Sequence, residues 1–138
     1  MKPLILLLAI QCTPLPAAVP NQTIFHYCAE TGVPLYIAHR LLISESDNRN
    51  DRNNPNGWGY WQLNPKHRKE FSERYNGSKE YNEFNETEST KIALRYLADL
   101  HERTGTWRKA LYAYKSGPNV KRISKRIKKS VDRILEGV

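Results

Sequence analysis

Apolar residues recur at helical spacing along most of this chain, in segments separated by glycine, proline or polar stretches. Strand-like alternation is weak throughout, so the pattern predicts an all-α fold, a compact domain of about six helices. Thr106 is placed to cap one of them. The predicted helices cover about 22–31, 34–46, 64–71, 87–103, 107–115 and 118–135, with 47–57 and most of 72–86 as loops.

Composition narrows the class of protein. The 138 residues suffice for one domain, and 39% hydrophobic with 26% charged residues is typical of a globular chain. Two cysteines cannot build a disulfide-rich scaffold. No two of the four histidines have the i, i+4 spacing of a zinc-binding helix, so we expect neither a metal nor another cofactor.

The N-terminal segment 1–18 reads as a secretory signal peptide. Lys2 forms a short basic region, residues 4–10 are apolar, and small residues follow at the predicted cleavage point after Ala18. The remaining 19–138 would form the domain, exported to the periplasm or cell envelope. A lipid anchor at Cys12 is the weaker alternative, because Gln11 stands where a small residue is usual.

Glu45 is the most informative single residue. On the helix over 34–46 it shares a face with Ala38, Leu41 and Leu42, which points inward. Apolar surroundings and the negative end of the helix dipole both favour the neutral acid. That is the state a general acid needs. A glutamate turned to solvent is the alternative from periodicity alone.

The polar loop after Glu45 leads into Gly57-Trp58-Gly59-Tyr60-Trp61-Gln62. The glycines permit close backbone approach, the aromatic rings offer faces for stacking on sugars, and Gln62 offers a donor and an acceptor. Beside a buried acid, this set predicts a polysaccharide groove. The alternative is that one or two of these aromatic residues belong to the core.

Three blocks in order make the chain resemble the soluble lytic transglycosylases, whose fold is of the goose-type lysozyme kind. The first is Ile43-Ser44-Glu45-Ser46, and the second is Gly59-Tyr60-Trp61-Gln62-Leu63, with Gln62 seventeen residues after Glu45. The third is Tyr96-Leu97 followed by Ala113-Tyr114-Lys115-Ser116-Gly117-Pro118. The blocks span about 33–120, most of the domain.

The resemblance implies cleavage of the MurNAc–GlcNAc β-1,4 bond of peptidoglycan without water, which closes a 1,6-anhydro ring. Glu45 would act as the single acid and base. Substrate contacts would come from five positions of the matched blocks: Ser46, Gly59, Tyr60, Gln62 and Tyr114. The family's Leu-Met pair is Tyr60-Trp61 here, and its asparagine after the tyrosine is Lys115. A cation there would lower the pKa of a nearby glutamate.

The C-terminal segment 121–133 is strongly basic, and Lys plus Arg exceed Asp plus Glu by 22 to 14 over the whole chain. We expect a helix with one packed face and one cationic face, suited to an anionic wall polymer or lipid surface. Export argues against nucleic acid, and a monomer is expected. Three rival functions remain: a hydrolytic lysozyme using Asp47 or Asp51, a non-catalytic peptidoglycan-binding protein, and a cationic membrane-active protein. Endo or exo attack and the biological role stay open.

Overall fold

The computed structural model describes residues 17–137, and within them the predicted all-α fold is confirmed, with six α-helices. The predicted signal segment, including Cys12, lies almost wholly outside the described residues. The helices are α1 (Asn21–Thr31), α2 (Leu35–Ser46), α3 (Arg68–Tyr75), α4 (Glu86–Thr104), α5 (Trp107–Ser116) and α6 (Lys125–Leu135).

Capping residues determine where several of these helices begin and end, at positions where the sequence predicted breaks. Gly32 and Gly105 end α1 and α4 in the left-handed conformation, with φ of 79° and 85°. Thr106 caps α5 as predicted, since its side chain accepts a hydrogen bond from the backbone N–H of Lys109. Asn85 does the same for α4, accepting from the N–H groups of Thr87 and Glu88.

Three local features differ from the sequence predictions. The last helix begins at Lys125, not near 118, because Ser124 accepts from the N–H of Ile127 and sets the start there. The third helix extends to Tyr75, into the segment predicted as loop. A two-stranded antiparallel hairpin, β1 (Asn53–Asn54) with β2 (Gly57–Trp58), interrupts the predicted loop.

The core forms around α4, which packs against α1, α3 and α5, while α2 and α5 pack against α6. Ile37 and Leu41 of α2, with Ile92 and Leu97 of α4, are fully buried. Burial of such side chains contributes about 1.5–3 kcal/mol each. This packing fixes the C-terminal end of α2, where Glu45 lies.

Val131 and Ile134 bury the apolar face of α6, and the basic side chains of that helix stay exposed. Cys28 is buried in the core, and burial raises the pKa of its thiol to about 11.

Among residues 17–137, no helix is both long and apolar enough to cross a bilayer. The same residues hold no group of three side chains arranged to bind a metal ion.

Candidate active site

A cleft of about 880 Å³ opens between the C-terminal end of α2, the hairpin, α4, α5 and α6. Its walls carry both polar and aromatic groups. They include Glu45, Gln62, His67, Phe71, Tyr96, Tyr114, Lys115 and Arg126. Glu45 is the one acidic side chain among the described residues that line it. The sequence therefore pointed to the acid in this cleft.

Glu45 lies in the last turn of α2, with its side chain 15% exposed. Burial raises the pKa of its carboxyl, and this effect outweighs the opposing charge of Lys115. The carboxyl can therefore hold a proton at higher pH than a glutamate in water. An acid that keeps its proton in a cleft is suited to general acid catalysis.

Lys115 follows Tyr114 near the end of α5 and contacts this acid directly. Its Nζ donates to Oε1 of Glu45 at 2.9 Å and to Oγ of Ser44 at 2.8 Å. The lysine side chain is only 9% exposed. The prediction that a cation at this position lowers the pKa of Glu45 agrees with the arrangement, because both its charge and its hydrogen bond act in that direction.

Gln62 and Tyr114 line the same cleft as Glu45. The Gln62 amide donates to the carbonyls of Arg52 and Gly59 at 2.8 and 2.9 Å and accepts from Asn54 at 2.9 Å. The Tyr114 hydroxyl donates to the carbonyl of Trp61 at 2.7 Å. Both side chains thus tie the segment 57–63 to the cleft walls as well as facing the cleft.

The model of one protein family matches residues 22–135, which include all six helices apart from Asn21 and every element of the cleft. Its description is the transglycosylase SLT domain. The chain belongs to this family. SLT proteins act on the glycan strands of peptidoglycan in the cell envelope. No curated protein matches the sequence.

Ser46, predicted to contact substrate, lies behind the SLT cleft rather than in it. Its side chain is buried, and its hydroxyl donates to the carbonyl of Tyr60 at 2.6 Å. It also accepts from the backbone N–H of Arg49 at 3.3 Å. Ser46 therefore joins the end of α2 to the loops on both of its sides, which supports Glu45 from behind.

The aromatic wall expected at 58–61 is wrong for Tyr60 and Trp61, because both are fully buried. The Tyr60 hydroxyl bonds the carbonyl of Ala17, and Trp61 Nε1 donates to the hydroxyl of Thr90 at 2.9 Å. The side chains of Tyr60 and Trp61 pack into the core. The alternative interpretation, that one or two of these aromatic residues belong to the core, is therefore correct for both. The rings that line the cleft belong to Phe71, Tyr96 and Tyr114 instead.

Gly59 also serves the fold rather than the cleft lining. Its φ is 75°, and a Cβ placed there would overlap the carbonyl oxygen of Glu83. The glycine lets the segment 57–63 lie directly against the loop before α4. The sequence predicted that Gly59 contacts substrate. Its position against Glu83 does not support that prediction.

Glu83 is a buried carboxylate that the sequence analysis missed. Arg68 of α3 donates to its two oxygens at 2.8 and 2.9 Å, and the guanidinium lies 5.5 Å from the Trp58 ring. Trp58 in turn stacks on Phe84 at 5.9 Å. The Arg68–Glu83 ion pair thus packs against the hairpin through Trp58. A separation of fifteen residues across a loop left no periodic signal by which to find it.

Asp47 and Asp51, the two candidates for activating water, do not line the cleft. The Asp47 side chain is 62% exposed and lies 3.5 Å from an Arg52 nitrogen. Asp51 is paired with Arg49 at 2.5 Å on the outer surface of the loop, and this bond lowers the pKa of its carboxyl. Both acids thus pair with neighbouring arginines, and neither faces the cleft that holds Glu45.

Proposed function

We propose that this SLT domain is a lytic transglycosylase that cleaves the MurNAc–GlcNAc β-1,4 bond of peptidoglycan and leaves a 1,6-anhydro-MurNAc end. The observation that carries the proposal is that Glu45 supplies the single carboxyl among the described residues that line the cleft. Hydrolytic glycosidases generally use two carboxyl groups on opposite sides of the bond. One carboxyl suffices when the substrate's own hydroxyl replaces water.

In the first step, protonated Glu45 gives its proton to the glycosidic oxygen as that bond breaks. The GlcNAc side leaves with a free 4-hydroxyl, and positive charge develops at C1 of MurNAc. Burial, which raises the pKa of Glu45, favours the protonated form that this step needs. Its position at the negative end of α2 also favours the neutral form before transfer.

In the second step, the Glu45 carboxylate takes the proton from the C6 hydroxyl of the same MurNAc. Oxygen 6 then bonds C1 and closes the anhydro ring. Glu45 is left protonated again, so the cycle needs neither water nor a second acid. The carboxylate also lies where it can stabilise the positive charge between the two steps.

The other predicted site residues take two kinds of role in this proposal. Gln62 and Tyr114 line the cleft and orient the sugar beside Glu45. Ser46, Gly59 and Tyr60 act from the interior, because they hold the segment 57–63 against α2 and the loop before α4. Ser116 lines the cleft, and its buried hydroxyl has no hydrogen-bond partner among residues 17–137, so it is a further candidate to bond the sugar.

The deciding experiment is mass spectrometry of muropeptides released from purified peptidoglycan by the wild type and by Glu45→Gln. The matched control is Glu102→Gln, an exposed glutamate on α4. We expect anhydro-muropeptides from the wild type and the control, and none from Glu45→Gln. Products heavier by one water would favour a lysozyme. Wall binding without any release would favour a non-catalytic binding protein.

Export is part of the same proposal, since the substrate lies outside the cytoplasm. We expect removal of residues 1–18, with Val19 as the new N-terminus. Val19 is buried, and its backbone N–H donates to Oδ1 of Asn48 at 2.8 Å, so the fold holds the chain at this residue. Cleavage after Ala18 removes the Ala17 carbonyl that the Tyr60 hydroxyl bonds. The mass of the protein recovered from the cell envelope checks this. A species beginning at Cys12 with attached acyl chains would instead support the lipid anchor.

The exposed cationic face of α6 is proposed to hold the domain near an anionic wall or lipid surface. It is formed by Lys125, Arg126, Lys128, Lys129 and Arg133. Sedimentation of a Lys128→Gln/Lys129→Gln variant with sacculi and with anionic vesicles tests this, since binding should weaken and become less sensitive to salt. Unchanged sedimentation with both would contradict the surface contact.

A further inference from the structure

Lys115 sets a condition on catalysis that the single-acid mechanism alone does not. The reaction begins with a protonated Glu45, yet Lys115 Nζ lies 2.9 Å from Glu45 Oε1. An ammonium at this distance favours the carboxylate. In the free protein the two side chains form an ion pair that is mostly closed to solvent, with exposures of 9% and 15%.

Among the residues that the structure describes, 17–137, the cleft offers Lys115 no anion besides Glu45. Apart from Glu45, the titratable and charged groups that face the cleft are His67 from the turn before α3, Tyr96 from α4, Tyr114 from α5 and Arg126 from α6. None of these carries negative charge near neutral pH. The second partner of Lys115 is the neutral Ser44 hydroxyl, which lies 2.9 Å from the Ser130 hydroxyl.

If Glu45 takes up a proton, Lys115 therefore loses its counterion in a largely buried position. Leaving a buried charge without a partner is strongly unfavourable. A substrate that brings its own anion to Lys115 removes this obstacle, because the lysine then exchanges one carboxylate for another. Glu45 is released to take a proton from solvent.

We propose that Lys115 selects glycan strands in which the lactyl carboxylate of MurNAc is free, that is, strands from which the stem peptides have been removed. This inference rests on the proposed transglycosylase function. In peptide-bearing strands the same lactyl carboxyl is bound in an amide and has no charge. In peptide-free strands it is a carboxylate attached to the very sugar whose bond is cut.

The test compares peptide-free strands, made by amidase digestion, with peptide-bearing strands of matched length from the same peptidoglycan. Initial rates of anhydro-end formation are measured for the wild type, Lys115→Asn and Lys109→Asn. Lys109 is an exposed lysine of the same helix that does not line the cleft. Lys115→Met provides a second neutral side chain of similar length, and melting curves establish that each variant is folded.

We expect the wild type and Lys109→Asn to cleave peptide-free strands about tenfold faster than peptide-bearing strands. A tenfold ratio is roughly the effect of one hydrogen bond to a charged group. Lys115→Asn and Lys115→Met should act on both strands at rates within about twofold of each other. Their alkaline limb of the pH–rate profile should also move to higher pH, because loss of the cation raises the pKa of Glu45.

A wild-type rate ratio near one, or a ratio that Lys115→Asn leaves unchanged, would overturn the inference while anhydro products still upheld the proposed function. A preference of the wild type for peptide-bearing strands that Lys115→Asn removes would overturn it too, because a stem-peptide carboxylate would then be the partner. Absence of anhydro ends from every strand would instead count against the proposed function.

Discussion

Two largely buried carboxylates of this domain, Glu83 and Glu45, have contrasting partners. Glu83 has a side chain 2% exposed, and the Arg68 guanidinium bonds both of its oxygens, at 2.8 and 2.9 Å. Glu45 is 15% exposed and faces the cleft, and Lys115 bonds its Oε1 alone. One carboxylate is enclosed by a planar partner, and the other is held by a single flexible amine.

The difference teaches that burial alone does not make a catalytic acid. A guanidinium fork matches a carboxylate in two parallel hydrogen bonds and cannot lose its proton, so Glu83 is fixed as part of the fold. A lysine ammonium is a point charge on a flexible stem, and it can move away. Glu45 thus combines burial with a partner that can be exchanged and an opening toward substrate.

The largest expected effect is the loss of activity when Glu45, the carboxylate in the cleft, is replaced. We expect Glu45→Gln to lower the rate of anhydro-muropeptide release by about 10²–10⁴-fold, because the amide can neither donate nor accept the transferred proton. The fold should persist, since glutamine has the same shape and can still accept from Lys115. Rates and circular dichroism spectra of the folded variant check both points. Activity within tenfold of wild type would assign the acid elsewhere.

Removing the partner of Glu83 should lower the free energy of unfolding, because Glu83 belongs to the fold and does not face the cleft. Arg68→Met leaves the Glu83 carboxylate buried without a partner, which costs about 3 kcal/mol, at the lower end for a broken buried pair because the Arg68 side chain is itself 35% exposed. Arg74→Met, which breaks the exposed pair with Glu70 on the same helix, should cost below about 0.5 kcal/mol. Urea unfolding measures both. Equal losses for the two variants would remove the distinction between the sites.

The close approach of Gly59 to Glu83 gives a smaller effect with a matched control. Gly59→Ala and Gly77→Ala both place a side chain at positive φ, 75° and 58°, but open space surrounds the second. We expect Gly59→Ala to destabilise the fold by about 1–3 kcal/mol more than Gly77→Ala, because backbone must move to admit the methyl group. Thermal melts of the two variants give the difference, and equal melting temperatures would argue that the loop adjusts freely.

The fold was largely readable from sequence because burial of one helical face determines where helices form. That signal failed where a different force decides. The apolar spacing continues back from Ile127 to Ile123, yet the cap at Ser124 sets the start of α6. Polar residues Asn53 and Asn54 have no strand pattern, and their hairpin is held by tertiary contacts such as the bond between Asn54 and Gln62.

In the candidate site, spacing indicated which residues are close in the chain but not which way each side chain turns. Glu45 could be placed because its helix had an apolar face to orient it. Tyr60 and Trp61 lie in an irregular loop, where aromatic character suits a core and a sugar groove equally. Phe71 and Tyr96 reach the cleft from α3 and α4 through packing of separate helices, which no local pattern records.

The smallest expected effect concerns acids that are neither buried nor in the cleft. Asp47 and Asp51 belong to exposed arginine pairs, which contribute little to stability. If neither activates water, the double variant Asp47→Asn/Asp51→Asn should release anhydro-muropeptides at a rate within about twofold of wild type, as for surface substitutions away from a site. The same mass spectra identify any product that has gained water.

This near-null result separates the two chemistries more sharply than Glu45→Gln, because a lysozyme and a transglycosylase both need their acid. A hydrolase would lose about 10²-fold or more when its base is removed, and its hydrated products would disappear with it. A transglycosylase would change in neither respect, since its second proton acceptor is Glu45 itself. The outcome at two exposed aspartates therefore determines whether one buried carboxyl carries both proton transfers.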